Sequence, residues 1–172
     1  MNILTTARLV LRSPSPHDFQ DLHEHVLSDP VVMGRVFSGH ALQLMQSREF
    51  FEANFDHDQS GKKLGMLVER GTGSLIGFAG LISCSALDQL DYELGFVLRR
   101  EAWGHGYATE IGLGQLDHGF KTLGLPRILA QVYPSNAASI SVITKIGMTL
   151  HSRVRSRERG ERHVYMKTCN SL

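Results

Sequence analysis

Between residues 89 and 124 a strand, a glycine-punctuated loop and a helix follow one another without a break, and that succession commits the chain to layered α/β packing. In residues 89–98, Tyr92, Leu94 and Phe96 alternate with Glu93, Gly95 and Val97, the period of an extended strand. Trp103-Gly104-His105-Gly106-Tyr107-Ala108-Thr109-Glu110 follows. A helical period then starts near Gly104, carries Leu113, Leu116, Phe120 and Leu123 on one stripe, and stops at Gly124. Two glycines one residue apart let backbone approach a ligand with no Cβ in the way. The helix behind them offers unpaired N–H groups and the positive end of its dipole. The spacing fits an anion site suited to a pyrophosphate; it fits a tight turn that uses glycine only for its backbone angles equally well. Two familiar phosphate motifs are excluded. No Gly-Lys-Ser/Thr triplet exists for a Walker A loop. A dinucleotide finger needs a small residue where Thr109 stands and an acid about 20 residues on, where Leu129, Ala130, Gln131 and Val132 supply none.

The rest of the chain supports the same class. Residues 7–13 alternate around Leu9 and Leu11 and read as a strand. Ser15 opens a helix, with Pro16 at its first position and Asp18 completing an acidic capping box; Phe19, Leu22 and Val26 give it one buried stripe. Residues 28–40 read as irregular, and residues 41–55 as a second helix with Leu44, Phe51 and Phe55 on one face. Gly71-Thr72-Gly73 turns a strand at 63–70 into another at 74–83. Residues 126–133 form a short apolar strand. Ser135 or Asn136 then opens a helix that carries Ile140, Ile143 and Ile146 and stops at Gly147; two last strands flank a turn at Arg159-Gly160. The order is β-α-α-β-β-β-α-β-α-β-β, a mixed α/β sheet with helices on both faces.

Composition narrows the function. At 172 residues the chain reads as one domain, 1–172. Apolar residues make up 42%, which sustains a core, and 18 basic against 17 acidic residues leave a net charge of +1. A near-neutral chain is a poor candidate for nucleic acid, so none is expected as a partner. No apolar run approaches the roughly 20 residues of a membrane span, and residues 1–12 lack the layout of a signal peptide. Cys84 and Cys169 form neither a CxxC pair nor a zinc spacing and read as reduced thiols of a cytoplasmic protein. The nine histidines include no HExxH, and His23 and His25 do not share a helix face, so no metal is expected. Arg153, Arg155, Arg157 and Arg159 recur at period two and line one face of a strand, either as a basic wall for an acidic substrate or as a solvated face balanced by Glu158 and Glu161.

Taken in order, Tyr92-Glu93-Leu94-Gly95-Phe96, the 103–110 loop, Pro134-Ser135-Asn136-Ala137-Ala138-Ser139 and Lys145-Ile146-Gly147-Met148 resemble the GNAT superfamily of N-acetyltransferases. Thr6-Ala7-Arg8-Leu9-Val10-Leu11-Arg12 and Leu75-Ile76-Gly77-Phe78-Ala79-Gly80-Leu81 are similar to its RimJ/RimL-like branch, the ribosomal-protein N-terminal acetyltransferases. The resemblance implies a twisted, mostly antiparallel sheet with one splayed parallel strand pair, and acetyl-coenzyme A in the splay. It implies that Phe96, Val97 and Leu98 offer backbone groups to the pantetheine arm. Trp103, Gly104, His105, Gly106, Tyr107, Ala108 and Thr109 would surround the pyrophosphate, Asn136 and Ser139 would lie near the thioester, and Lys145 toward the adenosine. The sequence departs from the superfamily at Trp103, where Gln or Arg is usual, and at Ile143, which excludes the tyrosine acid many members carry there.

Acetyl transfer needs a neutral amine. A lysine-like amine of pKa near 10.4 is neutral in only about one part in 2500 at pH 7, whereas an α-amine of pKa near 8 is neutral in about one part in ten. A weak or water-relayed base therefore serves an N-terminus. Glu93, on the strand entering the splay, is the candidate base; the same residue fits a solvated sheet face. Ser139 is the candidate acid that meets the departing thiolate, and it fits first-turn capping as well; Tyr133 is the alternative hydroxyl. Cys84 lacks a patterned histidine partner and reads as a packing thiol. The expected acceptor is a protein or peptide N-terminal amine, with a small amine (polyamine, aminoglycoside or amino acid) or a non-catalytic coenzyme A-binding module as alternatives. An exposed strand edge or the arginine-lined hairpin offers a surface for a homodimer.

Overall fold

The computed structural model describes residues 1–37, 39–156 and 160–169. Its strands are β1 (Asn2–Thr5), β2 (Leu9–Arg12), β3 (Leu64–Glu69), β4 (Leu75–Cys84), β5 (Asp91–Leu98), β6 (Arg127–Val132), β7 (Thr149–Ser156) and β8 (Gly160–Thr168). Its helices are α1 (Asp18–Leu22), α2 (Pro30–Met33), α3 (Leu44–Asn54), α4 (Tyr107–Asp117) and α5 (Ala137–Lys145). The strands form one open sheet in the order β1-β2-β3-β4-β5-β6-β8-β7. Every neighbouring pair is antiparallel except β5 and β6, which run parallel.

The period-two alternation sorts side chains onto two layers. On one face Phe78 and Val97, opposite each other in register, pack with Phe19, Leu22, Val26, Phe51 and Phe55 from α1 to α3 and their flanks. On the other face Leu81, Leu94, Ile128 and Ala130 pack with Leu116, Phe120, Ile143 and Ile146 from α4, α5 and the turns that follow them. A third cluster, with Leu9, Leu11, Ile76, Leu98, Tyr107 and Ile111, ties the N-terminal strands to the start of α4. Each fully buried aliphatic or aromatic side chain contributes about 2 kcal/mol.

Several expectations are corrected. β1 precedes the expected first strand and pairs with it, Thr5 opposite Val10; its short, half-exposed run shows no clean alternation. The irregular segment holds α2, nucleated where the Asp29 carboxylate caps the N–H groups of Val31 and Val32 at 2.8 and 3.3 Å and Pro30 presets the first turn. α1 begins at Asp18, not Ser15: Asp18 accepts from the Ser15 N–H and hydroxyl, and bidentately from Arg12 at 2.6 and 2.7 Å. Leu44 is 55% and Leu113 is 49% exposed, so neither belongs to its expected stripe; Ile111, at 0%, joins Leu116 on the buried face of α4. α4 ends at Asp117 and continues as a wider π-helical turn, His118–Thr122, which shifts the face the later side chains present.

Candidate active site

β5 and β6 hold register at Glu93 opposite Leu129, while β5 stays paired to β4 as far as Leu98 opposite Gly77. Past Glu93 the parallel pair separates, and a cleft of about 420 Å³ opens there. Phe96, Val97 and Leu98 form its strand wall. Trp103, Gly104, Gly106, Tyr107, Ala108 and Thr109 close one end, and Asn136, Ala138, Ser139, Val142 and Lys145 form the α5 wall. Val31, Val32, Arg35 and Val36, from α2 and the chain after it, face them. The volume suits the arm of a cofactor. One expectation is refined: the Leu98 carbonyl accepts from the Trp103 indole N–H at 2.8 Å, so that group is already engaged and anchors the exposed ring at the cleft mouth.

The loop has the conformation its glycines allow. Gly104 and Gly106 sit at φ +77° and +79°, in the left-handed region, and Gly106 caps α4. Around Gly104 an added Cβ would meet nothing within 4 Å, so the space beside it is open. Arg8, in the turn between β1 and β2, fixes the loop from outside. Its Nη1 donates to the His105 carbonyl at 2.9 Å and its Nε to Glu110 Oε2 at 2.7 Å, and its guanidinium lies 4.6 Å from the Tyr107 ring centre. Glu110 Oε1 also accepts from the Arg8 N–H and the Thr6 hydroxyl. Burial pushes the Glu110 carboxyl up, but these donors outweigh it and hold it below the usual carboxylate range. The Tyr107 hydroxyl donates to Glu69, and that hydrogen bond raises the phenol pKa. Arg8 was invisible as a site residue because alternation with Leu9 and Leu11 marks it only as outward-facing. His105 is exposed, stacks on Tyr107 at 5.7 Å, and is absent from the cleft lining.

A second cavity, of about 90 Å³, lies against β4, β5 and β6, the segment after α2 and the start of α5. Glu93, Gln131, Phe37, Phe78, Tyr133 and Arg162 are on its wall, and Arg35, Val36, Phe96, Val97, Asn136 and Ser139 line both spaces. The two cavities therefore meet at the start of α5. Glu93 is 5% exposed and accepts from Gln131 Nε2, which disposes of a solvated sheet face. Asn136 is N-cap of α5: its Oδ1 accepts from the Ser139 N–H at 3.2 Å, and its Nδ2 donates to the Arg35 carbonyl at 3.3 Å. The Ser139 side chain is half-buried at the junction, and its hydroxyl makes no hydrogen bond among the described residues.

Tyr133 is committed elsewhere. Its hydroxyl donates to the Phe37 carbonyl at 2.7 Å, beside the Arg162 Nη2 that donates to the same oxygen at 3.0 Å. The Arg162 guanidinium covers the Tyr133 ring at 3.2 Å. These donors, with Phe50 and Phe78 packed on the Phe37 ring, hold Phe37 at φ +46°, an uncommon conformation for a residue with a Cβ. Cys84 ends β4 opposite Asp91 and lines neither cavity. Arg153 and Arg155 pair with His163 and Glu161 and so share their face, whereas Arg162 pairs with Val154 and faces the second cavity. Arg153 and Arg155 are thus turned to the side of β7 and β8 opposite that cavity; Arg157 and Arg159 lie outside the described residues. No group of three or more metal-ligating side chains occurs among the described residues, and none of their helices is long and apolar enough to cross a membrane.

Comparison with known proteins agrees with this geometry. Residues 8–149 match the family model of an acetyltransferase (GNAT) domain. An uncharacterized Bacillus subtilis protein, YkkB, is 32% identical over 153 residues, covering 88% of each chain. A GNAT-family acetyltransferase from Bacillus anthracis superposes with a TM-score of 0.82 at 25% identity, covering 98% of this chain and 99% of its own. More distant structures share the fold alone. They include a RimL ribosomal L7/L12 alpha-N-protein acetyltransferase in complex with coenzyme A, at 15% identity and TM-score 0.79, covering 98% of both chains. A Vibrio cholerae spermidine N-acetyltransferase in complex with CoA and spermine, at 16% identity and TM-score 0.76, covers 95% of this chain and 97% of its own. With a GNAT model spanning most of its length and the strand splay that the resemblance implied, the chain belongs to the GNAT family of N-acetyltransferases.

Proposed function

We propose that the protein acetylates the α-amine of a protein or peptide N-terminus, using acetyl-coenzyme A. The observation that carries this reading is the meeting of the two cavities at Asn136 and Ser139, with Glu93 on the wall of the smaller one. The open cleft beside Gly104 and the unpaired first N–H groups of α4 fit a pyrophosphate-bearing arm. When bound, acetyl-coenzyme A supplies an activated acetyl carbonyl and a thiolate leaving group. Gly104, Gly106, Tyr107, Ala108 and Thr109 hold the phosphates, and Lys145 adds positive charge at the α5 wall. Glu93 takes the proton of the attacking amine through a water. Ser139, its hydroxyl uncommitted, donates a hydrogen bond to the departing sulfur. No covalent intermediate on the protein is needed.

An α-amine suits this site because its neutral fraction at pH 7 is already about one in ten, so one weak base is enough. The two cavities together are lined by a single carboxylate, Glu93, and by Arg35, Lys145 and Arg162. A polyamine or aminoglycoside would bring several positive charges into this net positive lining, whereas a peptide N-terminus brings one and a free amino acid carries a compensating carboxylate. Mass spectrometry of a pooled acceptor mixture with acetyl-coenzyme A tests the reading. Acetylated peptide N-termini are the expected product; acetylated polyamine with unmodified peptide overturns it.

A further inference from the structure

Arg35 stands where the two cavities meet, and its backbone is fixed while its charge is not. Asn136 Nδ2 holds the Arg35 carbonyl, and two residues on, the Phe37 carbonyl is held by both Tyr133 and Arg162. The exposed Arg35 guanidinium makes no hydrogen bond and no ion pair among the described residues. The neighbouring acid Asp29 is already engaged, capping α2 and pairing with Arg100 at 2.7 Å. An anchored residue that carries an uncommitted planar cation thus lines both cavities together with Ser139. Guanidinium pairs with carboxylate in a two-pronged geometry that lysine cannot copy, and the same charge repels a polycation.

We propose that Arg35 is a specificity residue that selects acceptors bearing a carboxylate close to the attacking amine. Two sources share that chemistry: the side chain of an acidic residue near a peptide N-terminus, and the α-carboxylate of a free amino acid. The inference rests on the acetyl-transfer reading of the junction, and the acceptors below separate its failure from a failure of the N-terminal reading.

The test compares kcat/KM for tetrapeptides Ser-Asp-Ala-Ala and Ser-Asn-Ala-Ala (both amidated at the C-terminus), for free serine and aspartate, and for spermidine. Each is measured with the wild type, Arg35→Gln and Arg35→Lys. Binding of the N-acetylated peptides in the presence of coenzyme A is measured alongside, because it needs no turnover. Wild type is expected to favour the acidic peptide over its amide by roughly tenfold or more, the scale of one charge-assisted hydrogen-bonded pair. Arg35→Gln should erase the preference and Arg35→Lys restore part of it, with the KM for acetyl-coenzyme A and the melting temperature unchanged. If only free amino acids react, with the same dependence on Arg35, the carboxylate inference stands and the N-terminal reading falls. A preference that survives in Arg35→Gln, or that is absent from both turnover and product binding, overturns the inference. So does an Arg35→Gln effect confined to acetyl-coenzyme A, which would assign the cation to the coenzyme. Preferred acetylation of spermidine overturns both.

Discussion

Arg8 and Glu110, 102 positions apart in the chain, are joined by a charged hydrogen bond of 2.7 Å from Nε to Oε2 across the seam between the N-terminal strands and α4. The pair does more than close a surface contact, because the same guanidinium reaches the His105 carbonyl between the two loop glycines and covers the Tyr107 ring. Each of these residues touches the loop that forms one end of the long cleft. Loop geometry, and with it the proposed phosphate site, is therefore linked to a turn far from it in sequence.

Arg8→Ala should loosen that loop. The bridge itself is half-exposed, and such pairs are worth less than about 1 kcal/mol, so the melting temperature should drop little. The hydrogen bond to the His105 carbonyl sits at the binding loop, and its loss should raise the KM for acetyl-coenzyme A about five- to tenfold. The acceptor KM should stay constant. Steady-state kinetics with each substrate varied in turn decides it, and an unchanged KM for acetyl-coenzyme A would refute the loop-fixing role.

Gly106→Ala probes the same loop from inside. At φ +79° an alanine costs about 1–2 kcal/mol. The nearest atom to its Cβ would be Arg8 Nη2 at 3.6 Å, an ordinary contact, so the cost comes from the backbone rather than from crowding. If the loop relaxes to relieve it, the N–H groups of α4 lose their aim. The expected result is a weakened affinity for coenzyme A, read by calorimetry, together with a lower melting temperature.

The sheet and most helices were legible because period-two and period-3.6 patterns mark buried faces directly. The strand around Glu93, the 104–106 loop and the helix opened by Asn136 all lie where their spacing puts them. What stayed hidden depends on contacts between distant segments. Arg8 reads as an outward strand residue until the fold brings Glu110 and His105 to it. Arg35 sits in a stretch with no period at all. Tyr133 looks like a spare hydroxyl until Phe37, 96 positions earlier, claims it. Leu113 is exposed because α4 buries the face of Ile111, Gln115 and Leu116, and a residue two positions past Ile111 is turned about 200° away from it.

Glu93→Gln and Ser139→Ala separate chemistry from binding. Removing the base should lower kcat by about 10²-fold, within the usual range for a positioned general base. Glutamine preserves size and a hydrogen-bonding partner for Gln131, so the fold should survive. Ser139→Ala should lower kcat by roughly tenfold or more through loss of one donor at the leaving sulfur. Both should bind acetyl-coenzyme A nearly as the wild type does. Full kcat in both variants would show that neither residue carries the chemistry.

His118 gives the fold a pH dependence unconnected with catalysis. It lies in the π-helical turn after α4, and its Nε2 is buried without a hydrogen-bond partner among the described residues. Burial disfavours the imidazolium and lowers the pKa below the usual 6.5, against a smaller opposing pull from Asp117. Because the folded-state pKa is the lower of the two, the unfolded chain takes up a proton first as pH falls. Stability is then full above about pH 6.5 and declines as pH drops from there toward the folded-state value. The chain holds eight other histidines, so the informative quantity is the difference between wild type and His118→Gln. Wild type should lose more melting temperature between pH 7.5 and pH 5 than the variant, with the two curves approaching each other at the acid end. Parallel curves over that interval would show that His118 titrates alike in both states.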